Sequence, residues 1–524
     1  MKTKIKNPIL TGFNPDPCIL RVGDDYYLAV STFEYYPGVQ IYTSKDLVNW
    51  KVVARPITSD KADLTAMPQG GGVWAPCLSH DGNKFYLVYS RVTIWSSGPF
   101  KDVDNFIITA DRVDGKWSKP VYINSHGFDA SLFHDDDGKK YYMCMEWDPR
   151  HSPDNKRFTG ILLWEMDQET FALKGEPKKI FCGTDRGSVE GPHIYKRNGW
   201  YYLFTAEGGT NVEHAETVAR SRNIFGPYEV HPYKHIITSY QTNNPLQKAG
   251  HASIVDDGKG NWYLAHLCGR KLMNGNCVLG RETSLQNIEF RDDDWCYLKD
   301  GGTQPYSYYE VEGKVNHYTF RKKKLQFTRN NMKNMFQSLR TPLGKRARII
   351  DKDTIELVGA EGICSLHCQT LLAYRQQHID FRASVKLDFH PENFNHTAGL
   401  IYRYNEENQY FLFMTHDENK GNVLRIQSIV KGEHKWWDEI VTVKDSVYLA
   451  IDVKCEKGQF YYSEDGSDYV LIGKPFDTSV LSDESACPMG FTGAFIGLYA
   501  GDGNFRKKTA KFSFFEYENK EEKR

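Results

Sequence analysis

The chain has 524 residues, in which 66 Lys and Arg balance 67 Asp and Glu to a net charge of −1. At roughly 100–200 residues per domain, this length predicts two or three domains. The lack of excess positive charge argues against a nucleic-acid partner, whose phosphates a basic surface would have to neutralise. No run of about 18 apolar residues is present, so we expect no membrane-spanning helix and no membrane partner.

Eleven cysteines are scattered along the chain without CxxC pairs. Their odd number and spacing favour reduced thiols over a disulfide framework or a zinc site. The N-terminal segment MKTKIKNPILTGFNPDP lacks the apolar stretch of a signal peptide. We therefore expect a cytoplasmic protein. Aromatic residues make up 14% of the chain, which is typical of a sheet-rich fold or of surfaces that stack on sugar rings.

The first three hundred residues contain five copies of one hairpin pattern. Each copy has an apolar strand, a turn rich in Asp, Asn and Gly, and an aromatic strand. The copies are DPCILRVGDDYYLAVSTF, WAPCLSHDGNKFYLVYS, FDASLFHDDDGKKYYMCMEW, VEGPHIYKRNGWYYLFTAEGG and GHASIVDDGKGNWYLAHLCG. They recur about every sixty residues, which is room for four strands each, and this predicts a five-bladed β-propeller rather than a sandwich.

The first strand of each blade lines the axis of a propeller, so its equivalent positions should meet in one funnel. The residues at the head of these strands are Asp16, Ala75, Asp129, Glu190 and His251. Taken one at a time, each acid has a structural alternative, such as a turn Asp that caps its own backbone. Three carboxyl groups from three blades at equivalent positions instead indicate a functional site.

Paired carboxyl groups are the minimum requirement for glycoside hydrolysis, since one protonates the leaving oxygen and the other activates water or attacks carbon. A third carboxylate beside the acid would raise its pKa by repulsion between like charges. Three carboxyls and a histidine could instead bind a divalent metal ion. Because no HxH or HExxH spacing occurs and aromatic residues surround the acids, sugar chemistry is favoured.

The motifs GFNPDPCI, STFEYYPGVQIYTSKDLVNW, GGVWAPCLS, GFDASLFHDDDGKKY, EGPHIYK, TAEGGT, GHASIVDDGKGNWYLAHL and LGRETS resemble those of family 43 glycoside hydrolases, especially its two-domain β-xylosidases. The resemblance implies a five-bladed propeller and hydrolysis with inversion of configuration. It further implies that Asp16 is the general base and Glu190 the general acid. Asp129 would tune the pKa of the acid and orient it.

The same resemblance assigns substrate contacts to residues around the acids. Phe33 and Trp74 would be aromatic pocket walls, with packing in the core as their alternative, and Phe128 would be a further wall. Arg281 would bind sugar hydroxyls, with an ion pair to a nearby acid as its alternative, and Thr210 would add a hydroxyl contact. His251 would lie on the propeller axis, next to a bound calcium or water in some members, or simply be a satisfied axial histidine. The segment 271–279 is shorter than the resemblance leads us to expect.

The repeat ends near residue 305, and the remaining sequence predicts a second domain. We expect a catalytic propeller at 1–305, a linker at 306–330 and a β-sandwich at 331–524, because the last part has frequent turns and alternating strands. The whole chain is then all-β, a propeller followed by a concanavalin-like jelly roll. The resemblance implies that a sandwich loop closes the propeller pocket with a phenylalanine, Phe491 or, failing that, Phe495.

The resulting prediction is an exo-acting β-xylosidase that releases xylose from the non-reducing end of short β-1,4-xylo-oligosaccharides. We expect that hydrolysis needs no cofactor. The one metal that the resemblance suggests is a structural calcium on the propeller axis, next to His251. The resemblance also implies a homo-oligomer, either a dimer or a tetramer. Three alternatives stay open: an α-L-arabinofuranosidase activity (alone or alongside), a non-catalytic carbohydrate-binding propeller and a calcium-dependent scaffold.

Overall fold

A computed structural model describes residues 1–521 and has five antiparallel sheets of four strands each. The predicted five-bladed propeller and the sandwich that follows it are confirmed. The blades comprise, in chain order, Cys18–Val22, Asp25–Val30, Gln40–Ser44 and Lys51–Ala54; Gly72–His80, Phe85–Ile94, Asp102–Ala110 and Val121–Asn124; Ser131–His134, Lys140–Trp147, Phe158–Met166 and Leu173–Phe181; Glu190–Arg197, Trp200–Glu207, Ala215–Ser221 and Glu229–Thr238; and Leu246–Asp256, Trp262–Arg270, Glu282–Phe290 and Cys296–Leu298.

Left-handed backbone marks the head of every inner strand. The angle φ is positive at five equivalent residues, one for each blade: Asp16, Ala75, Asp129, Gly191 and His251. The repeat in the sequence predicts Glu190 at this position of blade four, but Gly191 occupies it and Glu190 lies one residue earlier. Non-glycine residues adopt this conformation only where the surrounding structure enforces it, which is common at functional sites.

The segment before blade one closes the propeller against blade five. The side chain of Asn7 donates a hydrogen bond to the carbonyl of Leu285 at 2.7 Å and accepts one from the backbone N–H of Leu285 at 2.9 Å. The first strand, Lys2–Lys6, pairs with Tyr308–Glu312, which lies inside the region predicted as a linker. Both ends of the propeller sequence are therefore fixed to the same blade.

The sandwich consists of two larger sheets with alternating burial along their strands, as in Phe381–Asp388. One sheet contains Lys322–Lys324, Ala347–Asp351, Thr354–Val358, Phe381–Asp388, Ser446–Lys454, Lys457–Ser463, Val470–Asp477 and Thr509–Asn519; the other contains Tyr35–Tyr36, Phe336–Leu339, Thr370–Arg375, His396–Arg403, Gln409–Asp417, Gly421–Val430, Glu433–Trp436, Val441–Thr442 and Phe495–Asp502. Residues 522–524, to which the predicted domain extends, lie outside the described residues.

Helices are few and short. Within residues 1–521 the one α-helix is Arg329–Asn334, and 3₁₀ turns occur at Asp154–Arg157, Gly344–Arg346 and Asp483–Ser485. Among these same residues no helix combines the length and the apolar character needed to span a membrane.

The two domains share one sheet and one buried interface. Strand Tyr35–Tyr36 of the propeller pairs with strand Phe336–Leu339 of the sandwich. Next to this pairing, the backbone N–H of Arg340 donates to the carbonyl of Glu34 at 2.8 Å. The buried Arg340 guanidinium also donates through Nε to the carbonyl of Met67 in the propeller, while its Nη1 donates to Glu406 of its own domain at 2.6 Å. Because backbone pairing and the contacts of the buried Arg340 with propeller carbonyls cross the interface, the sandwich holds a fixed position against the propeller.

Candidate active site

One cavity of about 470 Å³ lies at the end of the propeller axis. All ten residues that the sequence analysis assigned to catalysis or substrate binding line it: Asp16, Phe33, Trp74, Phe128, Asp129, Glu190, Thr210, His251, Arg281 and Phe491. They come from all five blades and from the sandwich. The structure thus brings together residues that are as much as 475 positions apart, from Asp16 to Phe491.

Asp16 is held by hydrogen bonds to both of its carboxylate oxygens. The Ser31 hydroxyl donates to Oδ2 at 2.6 Å, and Nη1 of Arg281 donates to Oδ1 at 2.8 Å. The backbone of Asp16 is left-handed, and its side chain is buried. These contacts fix the direction of the carboxylate, as a group that accepts a proton from a positioned water molecule requires.

Arg281 connects the propeller to the sandwich. Its Nη1 also donates to Oγ1 of Thr210 at 3.0 Å, and its Nη2 donates to the carbonyl of Phe491 at 3.1 Å. The ion pair that the sequence analysis kept as an alternative is present, since Arg281 is paired with Asp16. Its Nε is buried without a hydrogen-bond partner among the described residues. A buried N–H donor of this kind can serve a sugar hydroxyl in the cavity.

Glu190 has the electrostatics of a proton donor. It is buried at the start of the inner strand of blade four. Burial and then the negative charge of Asp16 raise the pKa of Glu190 to about 8, against the opposing effect of the cations Arg281 and Lys101. A carboxyl group with this pKa keeps its proton at neutral pH and can transfer it.

Asp129 contacts the backbone beside Glu190. The N–H of Gly191 donates to Oδ2 of Asp129 at 3.1 Å, which fixes the strand at the residue after the acid. Burial raises the pKa of Asp129, and the charges of Glu190 and Asp16 raise it further. Repulsion with Glu190 thus acts on Asp129 itself, whereas Asp16 is the acidic neighbour that raises the pKa of Glu190. The role of Asp129 as a modulator of the acid stays a prediction, and its orienting contact is on the backbone.

His251 lies on the axis as a neutral side chain. Its Nδ1 is 3.7 Å from Oδ1 of Asp16, and burial lowers the pKa of His251 to about 4. Calcium takes six to eight oxygen ligands. The side chains directly below His251 on the axis include Cys77 and His193, which offer sulfur and nitrogen. Asp16 and Asp129 offer carboxylate oxygens to the same small cavity, so its donors are mixed, and calcium next to His251 stays a prediction.

Aromatic rings form the walls of the cavity. Phe491 stacks on Phe33 with ring centroids 5.8 Å apart and an interplanar angle of 15°, and it meets the edge of Trp74 at 5.4 Å. Trp74 in turn meets Phe128 at 5.3 Å. Gly70, in the left-handed region at φ 71°, allows the close approach of Phe491, because a Cβ there would lie 2.9 Å from the ring. The walls are thus continuous from the propeller to the sandwich.

Phe495 does not line the cavity. It is fully buried and stacks on Tyr35 with centroids 4.1 Å apart, so it packs the interface between the domains. Of the two phenylalanines that the sequence analysis considered, the structure therefore places Phe491 at the site.

The short segment 271–279 anchors the sandwich loop that carries Phe491. The side-chain amide of Asn276 donates to the Ser479 carbonyl at 2.9 Å and to the Ser485 hydroxyl at 2.9 Å. The backbone N–H of Ala494 donates to the carbonyl of Val278 at 2.9 Å. The segment thus binds both sides of the loop, and Phe491 is held from the propeller as well as from its own domain.

The sequence analysis missed further residues that line the cavity, among them the aromatic and basic side chains Trp95, Lys101, Trp147 and Phe158. They are partly exposed, in contrast to the acids. Lys101 Nζ lies over the Trp147 ring at 4.3 Å, and Trp147 packs edge-to-face on Phe158 at 5.2 Å. The sequence did indicate two of them, because Trp95 and Trp147 lie at the ends of the second strands of two neighbouring blades.

Comparison with known families agrees with this geometry. Residues 5–296 match the family described as "Glycosyl hydrolases family 43". Residues 324–518 match the family described as "Beta xylosidase C-terminal Concanavalin A-like domain". The first match covers nearly all of the propeller, and the second covers the sandwich sheets. The resemblance inferred from the sequence motifs is therefore confirmed in both parts of the chain.

Relatives match over nearly their full length. The chain is 45% identical to Xylosidase/arabinosidase 43B of Humicola insolens, over 98% of this chain and 97% of that one. It is 42% identical to a β-xylosidase of Bacillus subtilis, over 99% and 100%. The crystal structure of a xylan beta-1,4-xylosidase from Bacillus halodurans aligns with a TM-score of 0.94 at 40% identity, covering 98% of this chain and 100% of that one. Fold, site and similarity agree that the chain belongs to family 43 of the glycosyl hydrolases, an inverting family.

Proposed function

We propose that the protein is an exo-acting β-xylosidase that releases xylose from the non-reducing end of short β-1,4-xylo-oligosaccharides. The observation that carries this proposal is the pairing of two unlike carboxyl groups in one cavity. The pKa of Glu190 is raised to about 8, so this carboxyl group keeps its proton at neutral pH. Asp16 instead accepts hydrogen bonds from Arg281 and Ser31. The names of the Bacillus relatives support xylose as the sugar released.

The reaction is a single displacement at the anomeric carbon. Glu190 donates its proton to the glycosidic oxygen as the bond to the leaving group breaks. Asp16 accepts a proton from a water molecule whose oxygen bonds to the anomeric carbon from the opposite face, so the configuration inverts. Asp16 ends protonated and Glu190 ionised, and exchange of protons with solvent restores both.

Exo attack follows from the gradient of exposure along the cavity. The acids, Arg281 and Phe33 are buried, and Phe491 stacks over this end. The mouth is formed by the partly exposed Trp95, Lys101, Trp147 and Phe158. The buried end accepts one terminal sugar, and the mouth accepts the sugar that leaves. Exclusion of bulk water at the buried end strengthens each electrostatic contact with the reacting groups.

α-L-Arabinofuranosidase activity is the second candidate, because the Humicola insolens relative is named for both sugars. The two activities are separated by measuring hydrolysis of an aryl β-D-xylopyranoside and an aryl α-L-arabinofuranoside side by side. We expect the xyloside to be hydrolysed much faster than the arabinoside. This activity should be lost in Asp16→Ala on either leaving group, and in Glu190→Ala only when the leaving group is poor. Faster hydrolysis of the arabinoside would make α-L-arabinofuranosidase the main activity. No turnover of either substrate would favour a non-catalytic carbohydrate-binding propeller.

Other features of the prediction extend this proposal. We propose a cytoplasmic enzyme that assembles as a dimer or tetramer and needs no cofactor for hydrolysis. The scattered reduced cysteines support the cytoplasmic location, and the resemblance supports the oligomer. Light scattering of the purified chain measures its mass in solution, and a mass of one chain would contradict the oligomer.

A further inference from the structure

A second ring of side chains lies on the propeller axis beneath the catalytic residues. It is formed by the residues two positions after each left-handed strand head: Cys18, Cys77, Ser131, His193 and Ser253. In each blade this residue is paired with the second strand, which confirms that the five positions are equivalent. Their side chains therefore face one another across the axis.

The two serines of this ring are already committed to the backbone. The Ser131 hydroxyl donates to the carbonyl of Pro192 at 2.5 Å, and the Ser253 hydroxyl donates to the carbonyl of Pro17 at 2.7 Å. The three remaining side chains behave differently. The sulfur atoms of Cys18 and Cys77 and one ring nitrogen of His193 all lie within 4.8 Å of one another.

We propose that Cys18, Cys77 and His193 bind one soft divalent cation of the zinc type, on the axis and beneath the active site. Two sulfurs and one imidazole nitrogen are a ligand set that zinc prefers and calcium does not. A tetrahedral zinc ion, with bonds of about 2.3 Å to sulfur and about 2.0 Å to nitrogen, places its ligands roughly 3.5–3.8 Å apart. The ligand atoms of the cluster, which lie within 4.8 Å of one another, would move closer together on binding the ion.

The surroundings suit thiolate ligands. The backbone N–H of Leu78 donates to the Cys18 sulfur at 3.3 Å, and Cys77 has a backbone hydrogen bond from Leu132 and a contact with His193. Hydrogen bonds of this kind orient and stabilise metal ligands. Both cysteines are buried, whereas His193 is partly exposed and gives the ion a route of entry.

Room for a fourth ligand is present. A small cavity of about 10 Å³ is lined by Cys77, His193 and Ser131 and also by Asp16 and Asp129. This is the size of one water site, so a water molecule can complete the tetrahedron. Binding releases the thiol protons to solvent and forms two metal–sulfur bonds and one metal–nitrogen bond. The ion then cross-links blades one, two and four.

The test uses the full chain, reduced and stripped of metal, titrated with Co²⁺ and then with Zn²⁺. We expect one Co²⁺ per chain, a near-ultraviolet charge-transfer band from thiolate to cobalt, and loss of the band when Zn²⁺ is added. Zn²⁺ should also raise the Tm, and Ca²⁺ should do neither. A wild-type chain without the band, or one whose Tm does not respond to Zn²⁺, would overturn the proposal without any variant.

Variants assign the band to the ring. Cys18→Ala with Cys77→Ala should abolish it, while the matched control Cys296→Ala, a buried cysteine in the outer strand of blade five, should retain it. His193→Ala should weaken binding by more than the roughly 10–100-fold that loss of an outer partner costs. A band that persists in the double variant would place the metal elsewhere, on the exposed Cys182, Cys364, Cys455 or Cys487, and would overturn the proposal.

Discussion

The propeller and the sandwich contribute to the same cavity in different ways. The propeller supplies the charged groups from its inner strands, where Asp16 and Asp129 have left-handed backbone and Glu190 is one residue from such a position. The sandwich supplies an aromatic ring, Phe491, on a partly exposed loop that the propeller segment 271–279 anchors. The comparison teaches that changes in the propeller should alter the chemical step, whereas changes in the sandwich should alter binding.

The largest effect is expected at Asp16. Asp16→Asn keeps the size of the side chain but removes the group that accepts the proton from water, and general bases contribute typically about 10²–10⁴-fold. We expect kcat to fall to this extent on every substrate, while the inhibition constant for xylose changes little. Steady-state kinetics and xylose inhibition measure both. Turnover that survives the substitution would show that another group is the base.

The pH dependence of kcat/KM should report Glu190. Only the protonated acid donates, so activity is present below its raised pKa of about 8 and is lost as the pH rises through that value. In Glu190→Gln, tested on a substrate with a good leaving group, this alkaline limb should disappear because the amide does not titrate there. The same alkaline limb in both proteins would assign the titration to a different group.

A smaller effect is expected at Phe491. Phe491→Ala removes one aromatic wall, and aromatic contacts of this kind contribute about 0.5–1.5 kcal/mol, so KM and the inhibition constant for xylose should rise up to roughly tenfold. The kcat for the bound substrate should stay near that of the wild type. Phe505→Ala, in the same domain but 78% exposed, is the matched control and should leave both constants unchanged. A loss confined to kcat would contradict the division of roles.

Removal of metal ions should have the smallest effect. The proposed reaction uses carboxyl groups and water only, so treatment with a chelator should change kcat by less than about twofold. Activity assays before and after dialysis against EDTA measure this. Lost activity that Ca²⁺ restores would favour the calcium predicted next to His251.

The sequence predicted the acids because they follow a repeat that has a physical cause. Every blade needs an inner hairpin, so the period of the repeat alone places Asp16 and Asp129 at equivalent positions. Glu190 was placed one residue off, because the acid of blade four stands one position before the left-handed Gly191, where blade two has Trp74 and blade three has Phe128. The site itself was nevertheless predictable, since a shift by one residue leaves the carboxyl group at the same end of the strand.

Residues outside the repeat were harder to predict. Lys101 and Phe158 lie outside the repeated hairpin, so the repeat does not predict whether their side chains face the cavity. Phe491 came only from the resemblance, because nothing in the sandwich sequence indicates which loop reaches the propeller. The Cys18, Cys77 and His193 cluster was missed for a related reason, since its members come from blades one, two and four and show no short ligand spacing.

The most direct test of the account compares the leaving-group dependence of two propeller variants. Hydrolysis rates of wild type, Glu190→Gln and Asp16→Asn are measured on a series of aryl β-D-xylopyranosides and on xylobiose. We predict that Glu190→Gln loses most activity on xylobiose and little on the most activated aryl glycosides, because a good leaving group needs no proton. Asp16→Asn should lose activity equally on all of them. Equal losses for Glu190→Gln across the series would contradict its assignment as the acid.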